Sequence, residues 1–129
     1  MNRKKVLIIE DEPEIRTILA MSLQHTGGFA ALTAKNGAEG IRLAERHVPD
    51  LILVDALMPS MDGYETCRQI RENPKLKNVP VVFLTAKNDP AGIEKAVAAG
   101  ATACLGKPFD PMVLGSRIKS IIEDKREEQ

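Results

Sequence analysis

Five short apolar runs, each followed by a helical pattern, constrain this chain more than any other feature. The runs are Val6–Ile9, Phe29–Thr33, Leu51–Val54, Val81–Leu84 and Ala103–Leu105. The first, third and fourth are unbroken Val, Ile, Leu and Phe, as expected of strands covered on both faces. The second and fifth are weaker and fit sheet edges. Between the runs the spacing turns helical. Ile15, Ile18, Leu19 and Leu23 recur after Pro13, and Gly27-Gly28 ends that helix. Asn36 caps a second helix that turns Ala38, Ile41 and Ala44 inward. Asp62 caps a third, with Cys67 and Ile70 on its buried side and Pro74 past its end. Pro90–Ala99 forms a fourth, closed by Gly100. The last begins at Asp110-Pro111 and buries Leu114, Ile118, Ile121 and Ile122. Alternation through links this short requires right-handed crossovers and a parallel sheet, so the predicted class is α/β.

The 129 residues, 43% hydrophobic and 28% charged, suffice for one domain with a real core. That domain is expected to span 1–129, with its core at about 5–122 and a polar helix end at 123–129. Eighteen basic and eighteen acidic side chains cancel, so net charge points to neither nucleic acid nor an anionic membrane. The apolar runs are far shorter than a membrane span, and no signal-peptide pattern precedes them. Cys67 and Cys104 lie in no metal-binding spacing and read as reduced thiols. The expectation is a cytoplasmic protein.

In such a sheet, ligands bind beyond the carboxyl ends of the strands, where the strand order reverses. The chemistry-bearing residues fall there. The first run ends in Glu10-Asp11, the third in Asp55 and the fourth in Thr85, while Gly106-Lys107-Pro108 follows the fifth. Three carboxylates in one pocket resist ionisation unless a cation sits among them, and oxygen-only ligands suit Mg²⁺ better than zinc. His25 and His47, at the far ends of helices, read as surface residues. Lys107 adds a positive charge and Thr85 a hydroxyl donor, so the set offers the positioning and charge stabilisation that phosphoryl transfer needs. Asp55 is the best nucleophile among them. One acid beside a helix start would by default serve the helix dipole, but two at one strand end with a third at Asp55 argue for a site.

These residues resemble the receiver domain of two-component response regulators, of the stand-alone chemotaxis-regulator type, over about Lys5 to Ile122. The resemblance rests on four stretches in order: Val6-Leu-Ile-Ile-Glu-Asp-Glu-Pro13, Asp55-Ala-Leu-Met-Pro-Ser-Met-Asp-Gly63, Leu84-Thr-Ala86 and Gly106-Lys-Pro-Phe109. It implies a flavodoxin-like (βα)5 three-layer sandwich with a five-stranded parallel sheet in the order 2-1-3-4-5. It also implies that Asp55 accepts a phosphoryl group from a histidine kinase or a histidine phosphotransfer protein. Glu10 and Asp11 would organise Mg²⁺, with Mn²⁺ as a substitute, Asp11 and Asp55 ligating through side chains and Leu57 through its backbone carbonyl. Thr85 matches the switch hydroxyl and Lys107 the phosphate-contacting lysine, and the Lys107–Pro108 bond is commonly cis in relatives. One position departs. Relatives usually carry Tyr or Phe where this chain has Cys104, so the aromatic part of the readout is expected to be absent or replaced. The output surface implied is the fourth helix, fifth strand and fifth helix, binding another protein, with no direct nucleic-acid or membrane contact.

Other readings fit less well. A flavin carrier of this topology would want a glycine- and hydroxyl-rich loop where Glu-Asp-Glu-Pro stands, and the chain has one Tyr and no Trp. An aspartyl phosphatase usually places an acid two residues after its nucleophile, where this chain has Leu57, so no turnover of outside substrates is expected. A phosphate-independent interaction module would have no need of the full pocket. A receiver cut from a longer regulator is the remaining alternative to a stand-alone chain. Asp62, Gly63 and Pro59 read as cap and turn, Met58 and Met61 as loop packing, and Lys87 and Asn88 as solvent-facing.

Overall fold

In the computed structural model, which describes residues 3–56, 62–86, 89–107 and 109–127, the five apolar runs form one parallel sheet. The strands are β1 (Lys5–Ile9), β2 (Ala30–Ala34), β3 (Leu51–Asp55), β4 (Val81–Ala86) and β5 (Ala103–Lys107). Their order is β2-β1-β3-β4-β5, as the resemblance implies. The helices are α1 (Pro13–Gly27), α2 (Gly37–His47), α3 (Gly63–Glu72), α4 (Pro90–Ala99) and α5 (Leu114–Glu127).

The unbroken apolar runs follow from two cores, one on each face of the sheet. Leu7, Ile9, Ile52, Val54, Val81 and Phe83 meet Ala44, Cys67, Ile70, Ala96 and Ala99 under α2, α3 and α4. The alternate residues Val6, Ile8, Leu51, Leu53, Val82 and Leu84 meet Leu19, Leu23, Leu114, Ile118 and Ile122 under α1 and α5. Side chains alternate between faces along a strand, so covering both faces leaves no polar position in the middle. Each fully buried aliphatic side chain contributes about 1.5–3 kcal/mol.

Helix ends follow local chemistry. Asn36 Oδ1 accepts from the Glu39 N–H at 2.8 Å, and Asp62 Oδ1 from the Glu65 N–H at 2.8 Å. Gly28 and Gly100 take the left-handed conformation that closes α1 and α4. Val48 closes α2 in the same region at φ 42°, where a β-branched side chain is strained.

Several expectations shift. Phe29 is not in β2 but is buried just before it, its N–H bonded to the Leu23 carbonyl to finish α1. Ile18 is 47% exposed and Ala38 also faces out, while Gly40 turns inward in α2. Asp110 starts a turn instead of a helix: its carboxylate accepts from the Met112 N–H at 2.9 Å, and α5 begins at Leu114. The polar end is helical through Glu127. β3, β4 and β5 also run beyond their apolar stretches, into Asp55, Ala86 and Lys107. Asp55, Thr85 and Lys107 therefore sit on strand ends, held by the ladder.

Candidate functional site

β1 lies between β2 and β3, and the chain leaves it through α1 on one face and returns from β2 through α2 on the other. This opens a crevice at the carboxyl ends of β1 and β3. Glu10 follows β1, Asp55 ends β3, Thr85 lies one residue before the end of β4, and Lys107 ends β5. Register locks their relative depth: Ile9 pairs with Val54, Asp55 with Leu84, Thr85 with Gly106 and Ala86 with Lys107.

Carboxylate oxygens of Glu10, Asp11 and Asp55 all lie within 4.8 Å of one another. Glu10 and Asp55 are buried and Asp11 half-buried. Glu10 Oε2 accepts from the Glu12 N–H at 3.2 Å, while Oε1 is buried with no hydrogen-bond partner among the described residues. Burial, reinforced by the charge of Asp55, pushes the Glu10 carboxyl up to about 7, against the pull of the Glu12 N–H. Lys107 Nζ donates to Asp55 Oδ1 at 3.1 Å. Asp11, Asp55, Thr85 and Lys107 line a cavity of about 350 Å³, joined by Ala56, Tyr64 and Asp89.

A buried acid cluster with an orphaned carboxylate oxygen fits a hard divalent cation, which would replace a proton on Glu10 and satisfy Oε1. The donor set is oxygen alone, which suits Mg²⁺. His25 is exposed and His47 half-buried on helix ends, and neither belongs to the cluster. Leu57, together with Met58, Pro59, Met61, Lys87, Asn88 and Pro108, lies outside the described residues. Its carbonyl and the Lys107–Pro108 bond therefore stay expectations.

Gly63 does more than turn the chain. It opens α3 without a positive φ, but a Cβ there would collide with the Asp55 carbonyl and come within 3.0 Å of Ala56 Cα and Phe83 Cε1. The helix thus packs directly against the strand end that carries Asp55. Cys104 is half-buried against the core that holds Phe83 and Tyr64, and burial raises its thiol pKa.

Three residues at the site went unread in the sequence. Arg16 Nη1 donates to the Glu10 carbonyl at 2.9 Å and the Asp11 carbonyl at 3.4 Å, bracing the acidic pair from the first turns of α1. Its signal was a cation one turn into the helix after two acids. Asp89 faces the cavity as the cap of α4, accepting from the Gly92 N–H at 3.0 Å. An Asp-Pro pair announced it. Tyr64, on the first turn of α3, had no signal beyond being the sole tyrosine.

Comparison with known proteins agrees with the fold. The family model for the response regulator receiver domain matches residues 6–119. The chain is 35% identical over 119 residues, 92% of its length, to the alkaline phosphatase synthesis transcriptional regulatory protein PhoP of Bacillus subtilis, covering 48% of that protein. It spans about half the length of the curated relatives it matches. The chemotaxis protein CheY4 of Vibrio cholerae superposes with TM-score 0.86 at 32% identity, over 92% of this chain and 98% of that one. The receiver domain of the sensor histidine kinase PA1611 from Pseudomonas aeruginosa superposes with TM-score 0.85 at 30% identity, over 95% and 99%. That structure has a magnesium ion coordinated in its active-site cleft. The chain belongs to the response regulator receiver family of two-component signal transduction. Receiver domains of this family generally carry Mg²⁺ in an acidic pocket and are phosphorylated on aspartate, and they are not classical enzymes.

Proposed function

We propose that Asp55 is the phosphoacceptor of this receiver. The observation that carries the reading is the convergence of Glu10, Asp11 and Asp55 within 4.8 Å, with Lys107 Nζ 3.1 Å from Asp55 Oδ1. In the transfer, a carboxylate oxygen of Asp55 attacks the phosphorus of a phosphohistidine. The P–N bond breaks as the P–O bond forms, and the imidazole leaves and takes a proton from solvent. Glu10, Asp11 and Asp55, with the Leu57 carbonyl, are the residues to hold Mg²⁺, and Mn²⁺ would serve. The ion supplies charge neutralisation for the incoming phosphoryl oxygens. Lys107 then turns from Asp55 to a phosphoryl oxygen, and the Thr85 hydroxyl donates to another.

The donor is a histidine kinase or a histidine phosphotransfer protein, and the output is protein binding through the face of α4, β5 and α5. Chemistry stays within the chain, with no turnover of outside substrates. Residues 1–129 act as one receiver unit in the cytoplasm, and no helix among the described residues is long and apolar enough to cross a membrane. Incubation with acetyl phosphate tests the reading by intact mass. One phosphoryl group should be gained with Mg²⁺ and none with chelator or in Asp55→Asn; gain by the Asn variant to the same extent would refute it.

A second reading has its own support. The relatives are transcriptional regulators about twice as long. In it the chain is the receiver half of such a regulator, and any contact with nucleic acid belongs to the other half.

A further inference from the structure

Tyr64 is the chain's only tyrosine, and there is no tryptophan. It is 8% exposed on the first turn of α3 and lines the cavity that holds Asp55, Thr85 and Asp89. Its ring stacks on Phe83, with centroids 5.4 Å apart and planes at 29°. Phe83 stands two residues before Thr85 on β4 and directly opposite Cys104 on β5. Paired residues of neighbouring parallel strands share a face, so Tyr64 supplies a ring over the ground that Cys104 leaves low. On the other side α4 closes in. A Cβ at Gly92 would lie 3.3 Å from the Tyr64 hydroxyl, and Lys95 Nζ sits 6.0 Å over the ring centre, within cation–π range. Burial and the neighbouring Asp89 carboxylate raise the phenol pKa, so the ring stays neutral.

One ring therefore touches the cavity, the strand that carries Thr85 and the first turns of α4. We propose that Tyr64 couples the Asp55 pocket to α4, doing from α3 what a ring on β5 could not do here. The inference rests on the reading of Asp55 as phosphoacceptor. Phosphorylation replaces the single charge of the Asp55 carboxylate with the about −1.5 to −2 charges of a phosphoryl group, a net gain of roughly −0.5 to −1 that is also carried further into the cavity. That charge repels Asp89, the cap of α4, and draws on Thr85, two residues from the ring that Tyr64 stacks on. A helix moves only if its contacts differ between the two states, and Tyr64, beside the cap residue Asp89, is a side chain from another element that meets both the cavity and α4.

Ultraviolet emission reports residue 64 without a label, because no other tyrosine and no tryptophan contributes. Wild type and Tyr64→Leu are treated with Mg²⁺ and acetyl phosphate. Phosphoryl content is read by intact mass, and α4 by amide hydrogen exchange. Emission of the wild type should change with labelling and stay constant in Asp55→Asn. The phosphorylation-dependent change in α4 exchange, per mole of acyl phosphate, should fall at least threefold in Tyr64→Leu. A labelled Tyr64→Leu with the wild-type α4 response would overturn the coupling, as would constant emission from a fully labelled wild type. Should Tyr64→Leu fail to fold, the wild-type emission decides alone. Absence of any label on the wild type is a separate result, visible by mass, that overturns the phosphoacceptor reading and this inference with it.

Discussion

Lys107 Nζ lies 3.1 Å from Asp55 Oδ1, joining the last residues of β5 and β3 across the strand that bears Thr85. The Asp55 side chain is 9% exposed and that of Lys107 35%, so the pair is only partly screened by water. With Asp55 as the proposed phosphoacceptor, the ammonium would compete with a cation before transfer and stabilise the phosphoryl group after it. Lys107→Met should bind Mg²⁺ about threefold or more tighter, because a nearby positive charge is gone. Its labelling by acetyl phosphate should nonetheless slow about tenfold, equivalent to ~1.4 kcal/mol. Calorimetric titration and the time course of mass gain check the two opposed effects.

Glu10 makes the metal-free fold sensitive to pH. Its carboxyl is pushed up to about 7 in the folded chain from an ordinary 4.5. The folded state thus holds this proton more tightly than the unfolded one. The stability it contributes is fully present below pH 4.5 and is lost as pH rises through about 7. Glu10→Gln should accordingly stabilise the metal-free protein by on the order of 2 kcal/mol above about pH 7 and little below pH 4.5. If Glu10 helps hold Mg²⁺ as proposed, the ion would take the proton's place, and the rise in Tm that it produces in wild type should grow with pH through the same window. Thermal melts with and without Mg²⁺ measure both.

Gly63→Ala is expected to harm despite the better helix propensity of alanine. An added methyl meets the Asp55 carbonyl, Ala56 and Phe83, none of which is the far end of a flexible polar chain. Overpacking of this kind costs about 1–3 kcal/mol. The displaced strand end should also slow labelling of Asp55. Urea unfolding reads the first effect and mass gain the second.

Val48 offers the converse. It ends α2 at φ 42° and is 46% exposed, so its side chain gains little there and strains the backbone. Val48→Gly should stabilise by about 0.5–1 kcal/mol, the relief of the left-handed conformation less the entropy of glycine. Urea unfolding at constant m value checks it.

Strand number, helix number and the caps at Asn36 and Asp62 were legible because each rests on local chemistry: solid runs, capping side chains, glycine stops. Strand order depends on long-range pairing and came from the family resemblance alone. The strands' last residues were not legible. Asp55, Thr85 and Lys107 are polar, and a periodicity argument stops where apolar residues stop, although ladder pairing carries the strands on to Ala86 and Lys107. Ile18 misled because helical spacing shows a stripe but not its width; Leu19 and Leu23 fill the core and Ile18 falls beside it. The acidic cluster was readable from position alone. Tyr64 and Arg16 were not, because their roles depend on how α3 and α1 pack over the strand ends.

The central claim is that Asp55 carries the phosphoryl group. After treatment with acetyl phosphate and Mg²⁺, borohydride reduction of the acyl phosphate followed by peptide mass mapping locates the modified residue. A single reduced aspartate is expected, at position 55, absent when metal is chelated. Modification at Glu10, Asp11 or any other residue in its place, or none at all in the presence of Mg²⁺, would contradict it.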